Sequence, residues 1–186
     1  RIYTLRFKNL FTGEFLADKI ENTTGNSTWA NDNKTIFYTK QDANTLRSDT
    51  VLKHILGTET ALDKLIYFEK DDTFDVAVGK EKSKKYILIS SSSTLTSEFR
   101  TLLADKPEGK FTIFQKRKRG LEYNISHYSD SFYIVTNKDK ATNFKLMKTP
   151  ELATAMENWQ DVLEHREDVL LEDIDIFKDF LQLEFR

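Results

Sequence analysis

The residues whose side chains could take part in catalysis or metal binding are three histidines and one serine that closely follows a glycine. His54, His127 and His165 lie far apart, and none has the spacing of a paired metal ligand. A serine nucleophile of the elbow type needs Gly-x-Ser-x-Gly at a strand-to-helix turn. The nearest match, around Ser27, lacks the second glycine. We therefore expect no catalytic residue and no metal site in this sequence.

The densest charge feature is the run formed by Lys116, Arg117, Lys118 and Arg119. A run of this kind is a solvated loop, or it contacts an acidic peptide, nucleic acid or a partner domain. Nucleic acid is disfavoured, because the formal net charge is -2 and no aromatic stacking platform accompanies the run. The other interpretations stay open.

The elements that must position these residues recur at a nearly fixed period. Apolar runs that begin at Ile36, Tyr86, Phe132 and Phe180 are about 46 to 50 residues apart. Other runs keep nearly the same spacing, so chance is a poor explanation. Each repeat is predicted to hold four short strands separated by polar turns.

Four strands in each repeat predict an all-β fold, a β-propeller with blades of four antiparallel strands. One blade cannot bury both of its faces, so neighbouring blades must stack on it. We expect one propeller fragment over 1–186, with half blades at 1–22 and 169–186 and full blades at 26–70, 73–115 and 120–164. A two-sheet sandwich is the structural alternative, although it does not require equal spacing.

One segment has helical character. Pro150 is a residue type that favours a helix start, and Leu152, Ala155 and Met156 follow it at helical spacing. We expect a single helical turn over Pro150–Glu157, inserted in a loop of a blade.

The composition excludes several classes of protein. Hydrophobic residues make up 39% and charged residues 31% of the 186 residues, which is typical of one globular domain. The absence of cysteine excludes disulfides and thiolate metal sites. No apolar run approaches the roughly 18 residues of a membrane span, so we expect no membrane contact.

Six short motifs occur in the order of a known family. They are Trp29-Ala-Asn-Asp, His54-Ile-Leu-Gly-Thr, Asp63-Lys-Leu-Ile-Tyr-Phe-Glu-Lys-Asp-Asp, Thr96-Ser-Glu, Arg119-Gly-Leu-Glu-Tyr and Phe132-Tyr-Ile-Val-Thr-Asn. Together they closely resemble the propeller of the prolyl oligopeptidase family of serine peptidases, and within it oligopeptidase B, over essentially the whole chain. The Trp-Asp ending of WD40 blades and the Gly-Gly pair of kelch blades are missing.

The resemblance implies a seven-bladed propeller that caps a C-terminal α/β-hydrolase domain. In that family the propeller restricts entry, so that only short peptides reach the catalytic triad, and oligopeptidase B cleaves after Arg or Lys. The resemblance also implies a cytoplasmic enzyme without metal or cofactor. This sequence holds about half of such a propeller and none of the hydrolase domain. It begins with Arg1 rather than Met, and we expect it to be cut from a longer protein.

Carboxylates in or beside the first strands of blades are candidates for the lining of the central tunnel. They are Asp75, Glu122, Glu172, Asp173 and Asp175. An acidic tunnel would attract peptides that carry Arg or Lys by Coulomb steering. The alternative is that these acids pair with nearby lysines or turn into solvent. A carboxylate pair for glycoside hydrolysis would need a fixed separation, which the sequence does not supply.

We therefore expect a gating part of an oligopeptidase B-like peptidase, inactive by itself, whose partners are the missing hydrolase domain and short basic peptides. The rival is a non-catalytic propeller that binds proteins. The two half blades have complementary strand characters. Because unpaired sheet edges favour pairing, we also expect them to close a four-bladed ring or to exchange between two chains.

Overall fold

The computed structural model describes residues 1–186, which form sixteen β-strands and three short 3₁₀ turns. The strands are β1 (Tyr3–Lys8), β2 (Phe15–Thr23), β3 (Ser27–Trp29), β4 (Thr35–Gln41), β5 (Ser48–Ile55), β6 (Lys64–Phe68), β7 (Asp75–Lys80), β8 (Tyr86–Ser93), β9 (Thr96–Leu103), β10 (Thr112–Ile113), β11 (Tyr123–Tyr128), β12 (Ser131–Thr136), β13 (Lys145–Pro150), β14 (Gln160–Leu163), β15 (Leu171–Ile176) and β16 (Leu181–Phe185). The 3₁₀ turns are Thr60–Leu62, Lys138–Lys140 and Met156–Asn158.

The strands form five antiparallel sheets in chain order. Three sheets have four strands and are here named blade 1 (β3–β6), blade 2 (β7–β10) and blade 3 (β11–β14). Two sheets have two strands and are named the leading half-sheet (β1–β2) and the trailing half-sheet (β15–β16). The predicted propeller blades are confirmed. The sandwich is excluded, because five separate sheets pack one on the next.

The central strands carry continuous apolar runs because both of their faces are buried. In β8, Ile87 and Ile89 pack into the core between blades 1 and 2. Their alternate neighbours Tyr86 and Leu88 pack into the core between blades 2 and 3. Successive side chains of a strand point to opposite faces, so one strand serves two cores. The runs at Ile36, Tyr86 and Phe132 are therefore strands that lie between two neighbouring sheets. The run at Phe180 leads into β16 of the trailing half-sheet and is largely exposed.

Four cores occupy the four junctions between successive sheets. The leading half-sheet packs on blade 1 through Phe7 and Ile20, which meet Ile36 and Tyr38. The trailing half-sheet packs on blade 3 through a smaller core that includes Leu171 and its β15 neighbours. Every sheet thus covers the face of the sheet beside it.

The predicted pairing of the two half-sheets within one chain is wrong. Each remains a separate two-stranded sheet. The physical reason is that the two half-sheets pack on different blades, the leading one on blade 1 and the trailing one on blade 3, at opposite ends of the row of sheets. A closed four-bladed ring is therefore not formed, and exchange between two chains stays a prediction.

The helical turn expected over Pro150–Glu157 is also wrong in its position. Pro150 is the last residue of β13 and lies opposite Ser131 of β12. On the opposite edge of β13, the pairing with β14 ends at Lys148, two residues before Pro150. The missing N–H of Pro150 therefore interrupts no hydrogen bond between β13 and β14. Only Met156–Asn158 forms a single 3₁₀ turn.

The double burial of the central strands predicts a large effect of cavity formation. Phe37 of β4 is 0% exposed, whereas Phe11, in the turn of the leading half-sheet, is 102% exposed. We expect Phe37→Ala to lower the free energy of unfolding by about 3–5 kcal/mol, measured by urea denaturation. The matched change Phe11→Ala should stay within about 0.5 kcal/mol. Equal effects of the two changes would contradict the packing described here.

Candidate functional site

The five acidic tunnel candidates do not come together at one place. Asp75 is the first residue of β7, Glu122 directly precedes β11, and Glu172 and Asp173 lie near the start of β15. Asp175 lies near the other end of β15. No hydrogen bond or ion pair joins any two of them, and tunnel lining stays a prediction for each.

Most of these carboxylates have local partners. Glu122 accepts a hydrogen bond from Asn137 Nδ2 at 3.1 Å. Glu172 pairs with Arg186 at 3.0 Å. Asp173 accepts a bond from the backbone N–H of the next residue at 2.8 Å. Asp75 is exposed at the start of its strand.

Asp175 differs because it lines a pocket where three first-strand segments end. The pocket has a volume of about 370 Å³ and is here named the strand-end pocket. Its walls are the turn after β7, the end of β11 and the end of β15 with the turn that follows. The lining residues are Glu81, Lys82, Ser83, Ser126, His127, Tyr128, Asp175, Ile176, Phe177 and Lys178.

His127 lies in the wall of this pocket and links blade 3 to blade 2. Its Nδ1 is 2.9 Å from Ser83 Oγ, and its Nε2 is 3.0 Å from Glu151 Oε2. Lys85 also reaches Glu151, at 2.6 Å. Burial lowers the pKa of His127 despite the nearby carboxylate. Both ring nitrogens are engaged, so this histidine links the turn after β7 to two segments of blade 3.

His54 has the same kind of role at the first junction. It is fully buried, with Nδ1 at 2.7 Å from Asp63 and Nε2 at 3.1 Å from Asp18 of the leading half-sheet. Tyr38 donates a hydrogen bond to the other oxygen of Asp63 at 2.8 Å. Although burial opposes it, hydrogen bonds from the Gly57 N–H and from the imidazole lower the pKa of Asp18. This polar chain joins β2 to blade 1.

Arg117 of the basic run is part of an internal cluster that the sequence did not reveal. Its Nη2 is 2.6 Å from Glu69 and 3.5 Å from Glu98, and its guanidinium lies 3.6 Å from the centre of the Phe74 ring. Ser91 of blade 2 donates to Glu69 at 2.6 Å. We name these five residues the Glu69–Arg117 cluster. It joins the end of blade 1, two strands of blade 2 and the connection to blade 3.

The electrostatics of the cluster favour the charged state of its carboxylate. Burial by itself would raise the pKa of Glu69, but hydrogen bonds from Arg117, Ser91 and Tyr67 outweigh it and lower the pKa to about 2. The only sequence signal was that Glu69 lies within the motif that begins at Asp63.

The other three residues of the basic run are exposed. Lys118 and Arg119 line a second pocket of about 390 Å³ together with Lys138 and Lys140 of the β12–β13 turn. Asp139, also in its wall, already pairs with two lysines. This basic pocket keeps the partner-contact interpretation open for that part of the run.

The remaining candidates show no catalytic arrangement. Ser27 is the first residue of β3, and its hydroxyl has no imidazole partner. His165 Nε2 accepts a hydrogen bond from the backbone N–H of Asn143 at 3.2 Å. Residues 1–186 contain no group of three or more His, Cys, Asp or Glu side chains placed to hold a metal ion. Within residues 1–186, no helix is long and apolar enough to cross a membrane.

The model of the prolyl oligopeptidase N-terminal beta-propeller domain matches residues 1–186, the whole chain. The chain belongs to the prolyl oligopeptidase family. Dipeptidyl aminopeptidase BI of Pseudoxanthomonas mexicana is 43% identical over 180 residues, which cover 97% of this chain and 25% of that protein. Protease 2 of Moraxella lacunata is 34% identical over 181 residues, which cover 96% of this chain and 26% of that protein.

Solved structures agree with this membership in the prolyl oligopeptidase family. Oligopeptidase B from Leishmania major matches with a TM-score of 0.93 and 28% identity, over 100% of this chain and 26% of that chain. Oligopeptidase B from Trypanosoma brucei, in a closed form with covalently bound antipain, matches with a TM-score of 0.87 and 29% identity, over the same shares of the two chains. The chain spans about a quarter of the length of these relatives and forms a family propeller domain.

The Glu69–Arg117 cluster predicts that only one residue of the basic run is important for stability. We expect Arg117→Met to lower the free energy of unfolding by about 3 kcal/mol, because it leaves the buried Glu69 carboxylate without its cation. The neighbouring change Lys118→Met should stay within about 0.5 kcal/mol in the same urea titration. Similar small effects of both changes would show that the whole run is a solvated loop.

The low pKa of Glu69 predicts acid sensitivity. Its folded-state pKa of about 2 lies below the ordinary value of 4.5, so the stability it contributes is present above pH 4.5 and is lost as the pH falls toward 2. In urea titrations between pH 5 and 3, the Glu69→Gln protein should lose less stability than the unmodified protein, by up to about 1.4 kcal/mol per pH unit. The exposed change Glu14→Gln should leave the slope unchanged. A Glu69→Gln protein with the unmodified slope would refute the ionised cluster.

Proposed function

We propose that this chain is the substrate-gating part of a serine oligopeptidase that hydrolyses short peptides after Arg or Lys. The observation that carries the proposal is the match of every sheet, in order, to oligopeptidase B at a TM-score of 0.93. The relatives named protease 2 and oligopeptidase B support the reaction class. The cytoplasmic location is likewise inferred from the family resemblance.

The chemistry belongs to another part of the protein in this proposal. Ser27 has no imidazole partner, and the serine–imidazole contact that the structure does contain, Ser83 Oγ to His127 Nδ1 at 2.9 Å, links blade 2 to blade 3. A C-terminal α/β-hydrolase domain would supply the triad, and the stacked blades would form the wall through which a peptide reaches it. Polar clusters at the blade junctions support a rigid wall, which is what selection by size requires.

The distribution of charge supports basic peptides as substrates. Carboxylates lie at or beside the starts of β7, β11 and β15, and Asp175 lies near the end of β15. A narrow passage with this lining would concentrate cationic peptides by long-range attraction.

A second function, binding of an acidic protein partner without catalysis, is favoured by the basic pocket. Lys118, Arg119 and Lys140 line it, and the structure shows no carboxylate paired with any of the three. In the peptidase this surface would be a contact with the hydrolase domain, and in the alternative it would be the binding site itself.

Hydrolysis assays separate the two functions. We expect the full-length protein to cleave a short peptide after arginine and to leave the same peptide intact when citrulline replaces arginine. The same arginine sequence placed inside a folded protein should not be cleaved, because the propeller excludes it. Residues 1–186 alone should have no activity in any of these assays.

Each outcome bears on one part of the proposal. A full-length protein without hydrolytic activity would support the binding module. Cleavage of the citrulline peptide would contradict the specificity, and cleavage within the folded protein would contradict the gating. Activity of residues 1–186 would overturn the assignment of the chemistry to another domain.

A further inference from the structure

The strand-end pocket is formed by the ends of successive first strands. The turn after β7, the end of β11 and the end of β15 converge there around about 370 Å³. One wall is fixed, since the Tyr128 hydroxyl donates a hydrogen bond to the backbone carbonyl of Lys178. The pocket is therefore a built feature of three sheets rather than a single mobile loop.

A cationic side chain of the protein already occupies part of this pocket. The Lys82 ammonium lies 2.6 Å from an Asp175 carboxylate oxygen and 3.7 Å from the centre of the Phe177 ring. A carboxylate and an aromatic face are the two groups that bind ammonium and guanidinium ions in proteins. The side chains of Lys82 and Asp175 are 56% and 49% exposed, so their pairing is weak and readily exchanged.

A second carboxylate in the pocket wall has no cation of its own. Glu81 Oε2 accepts a hydrogen bond from the backbone N–H of His127 at 2.7 Å, which is its one hydrogen bond. Burial raises the pKa of Glu81, because that single bond does not compensate for lost water. The neighbouring imidazole does not help, since both its nitrogens are engaged with Ser83 and Glu151.

We propose that the strand-end pocket binds one cationic group of a short peptide, which displaces Lys82 from Asp175 and Phe177 and gives Glu81 a counter-charge. The ligand chemistry is a guanidinium or alkylammonium ion, from a basic side chain or from the peptide α-amine. That the ligand is a peptide rests on the proposed function, whereas cation binding rests on the pocket alone. The site lies on the propeller, so it would select peptides before they reach a catalytic centre.

Three small probes distinguish the sources of the cation in the full-length protein. N-acetyl-arginine amide offers only a guanidinium, alanine amide offers only an α-amine, and N-acetyl-citrulline amide is neutral and nearly isosteric with the first. Binding is measured by ligand-observed NMR titration. We expect one or both cationic probes to bind and the citrulline probe not to bind.

Matched variants assign the binding to this pocket. Asp175→Asn should weaken binding of the cationic probe by about threefold, as expected for a partly exposed ion pair. Glu81→Gln should weaken it by up to about tenfold, because this carboxylate is less exposed. Asp179→Asn, an exposed change in the adjacent turn, is the control and should leave binding unchanged. Lys82→Met should tighten binding, since it removes the competing ammonium ion.

The direction of the Lys82→Met effect decides the proposal. A pocket that only holds the sheets together would be disturbed by the loss of Lys82, and probe binding would weaken or stay the same. Either of those results, or unchanged binding in both Asp175→Asn and Glu81→Gln, overturns the proposal. Peptide hydrolysis by the same proteins is measured in parallel. If the unmodified full-length protein does not hydrolyse the peptide, the proposed function is refuted. The NMR titration still tests cation binding by the pocket in that case.

Discussion

The structure depends on one constraint, which is that each central strand must be covered on both faces. Phe37 and Tyr38 are adjacent in β4, yet they enter different cores because successive side chains point in opposite directions. A single blade would leave both of these rings in water. The repeat is therefore a consequence of packing, since each sheet supplies the cover that its neighbour lacks. Exposed apolar residues are frequent on the two half-sheets, where this cover ends.

Polar clusters hold the same junctions in register. His54 joins the leading half-sheet to blade 1, the Glu69–Arg117 cluster joins blade 1 to blade 2, and His127, through Ser83, joins blade 3 to blade 2. In each of them a cation or imidazole meets a carboxylate that is largely buried, so neither group is left without a partner. Apolar faces alone allow sliding, whereas these directional contacts fix one arrangement.

The charged pockets show how a chain with little net charge presents different surfaces. Each of the two pockets combines segments that are separated in sequence, and the strand-end pocket combines three. In the first pocket lysines and an arginine predominate, and in the second a carboxylate and an aromatic ring surround a lysine. In the proposed function both surfaces belong to a wall between solvent and a catalytic domain. The proposed cation site would give that wall a means to recognise charge.

The sequence alone determined the repeat and the four-stranded blades, because a strand covered on both sides carries an apolar run that is visible without coordinates. It also led to the family through six short motifs. Only the tertiary structure decided the sites. Arg117 and Lys118 are adjacent cationic residues that the sequence does not distinguish. Arg117 pairs with Glu69 and Lys118 is exposed, because the fold brings Glu69 beside Arg117 alone. Pro150 showed a helix-start signal that strand pairing overrode. Asp175 acquired its pocket from turns about 50 and 90 residues earlier in the chain, and such long-range contacts leave no local pattern.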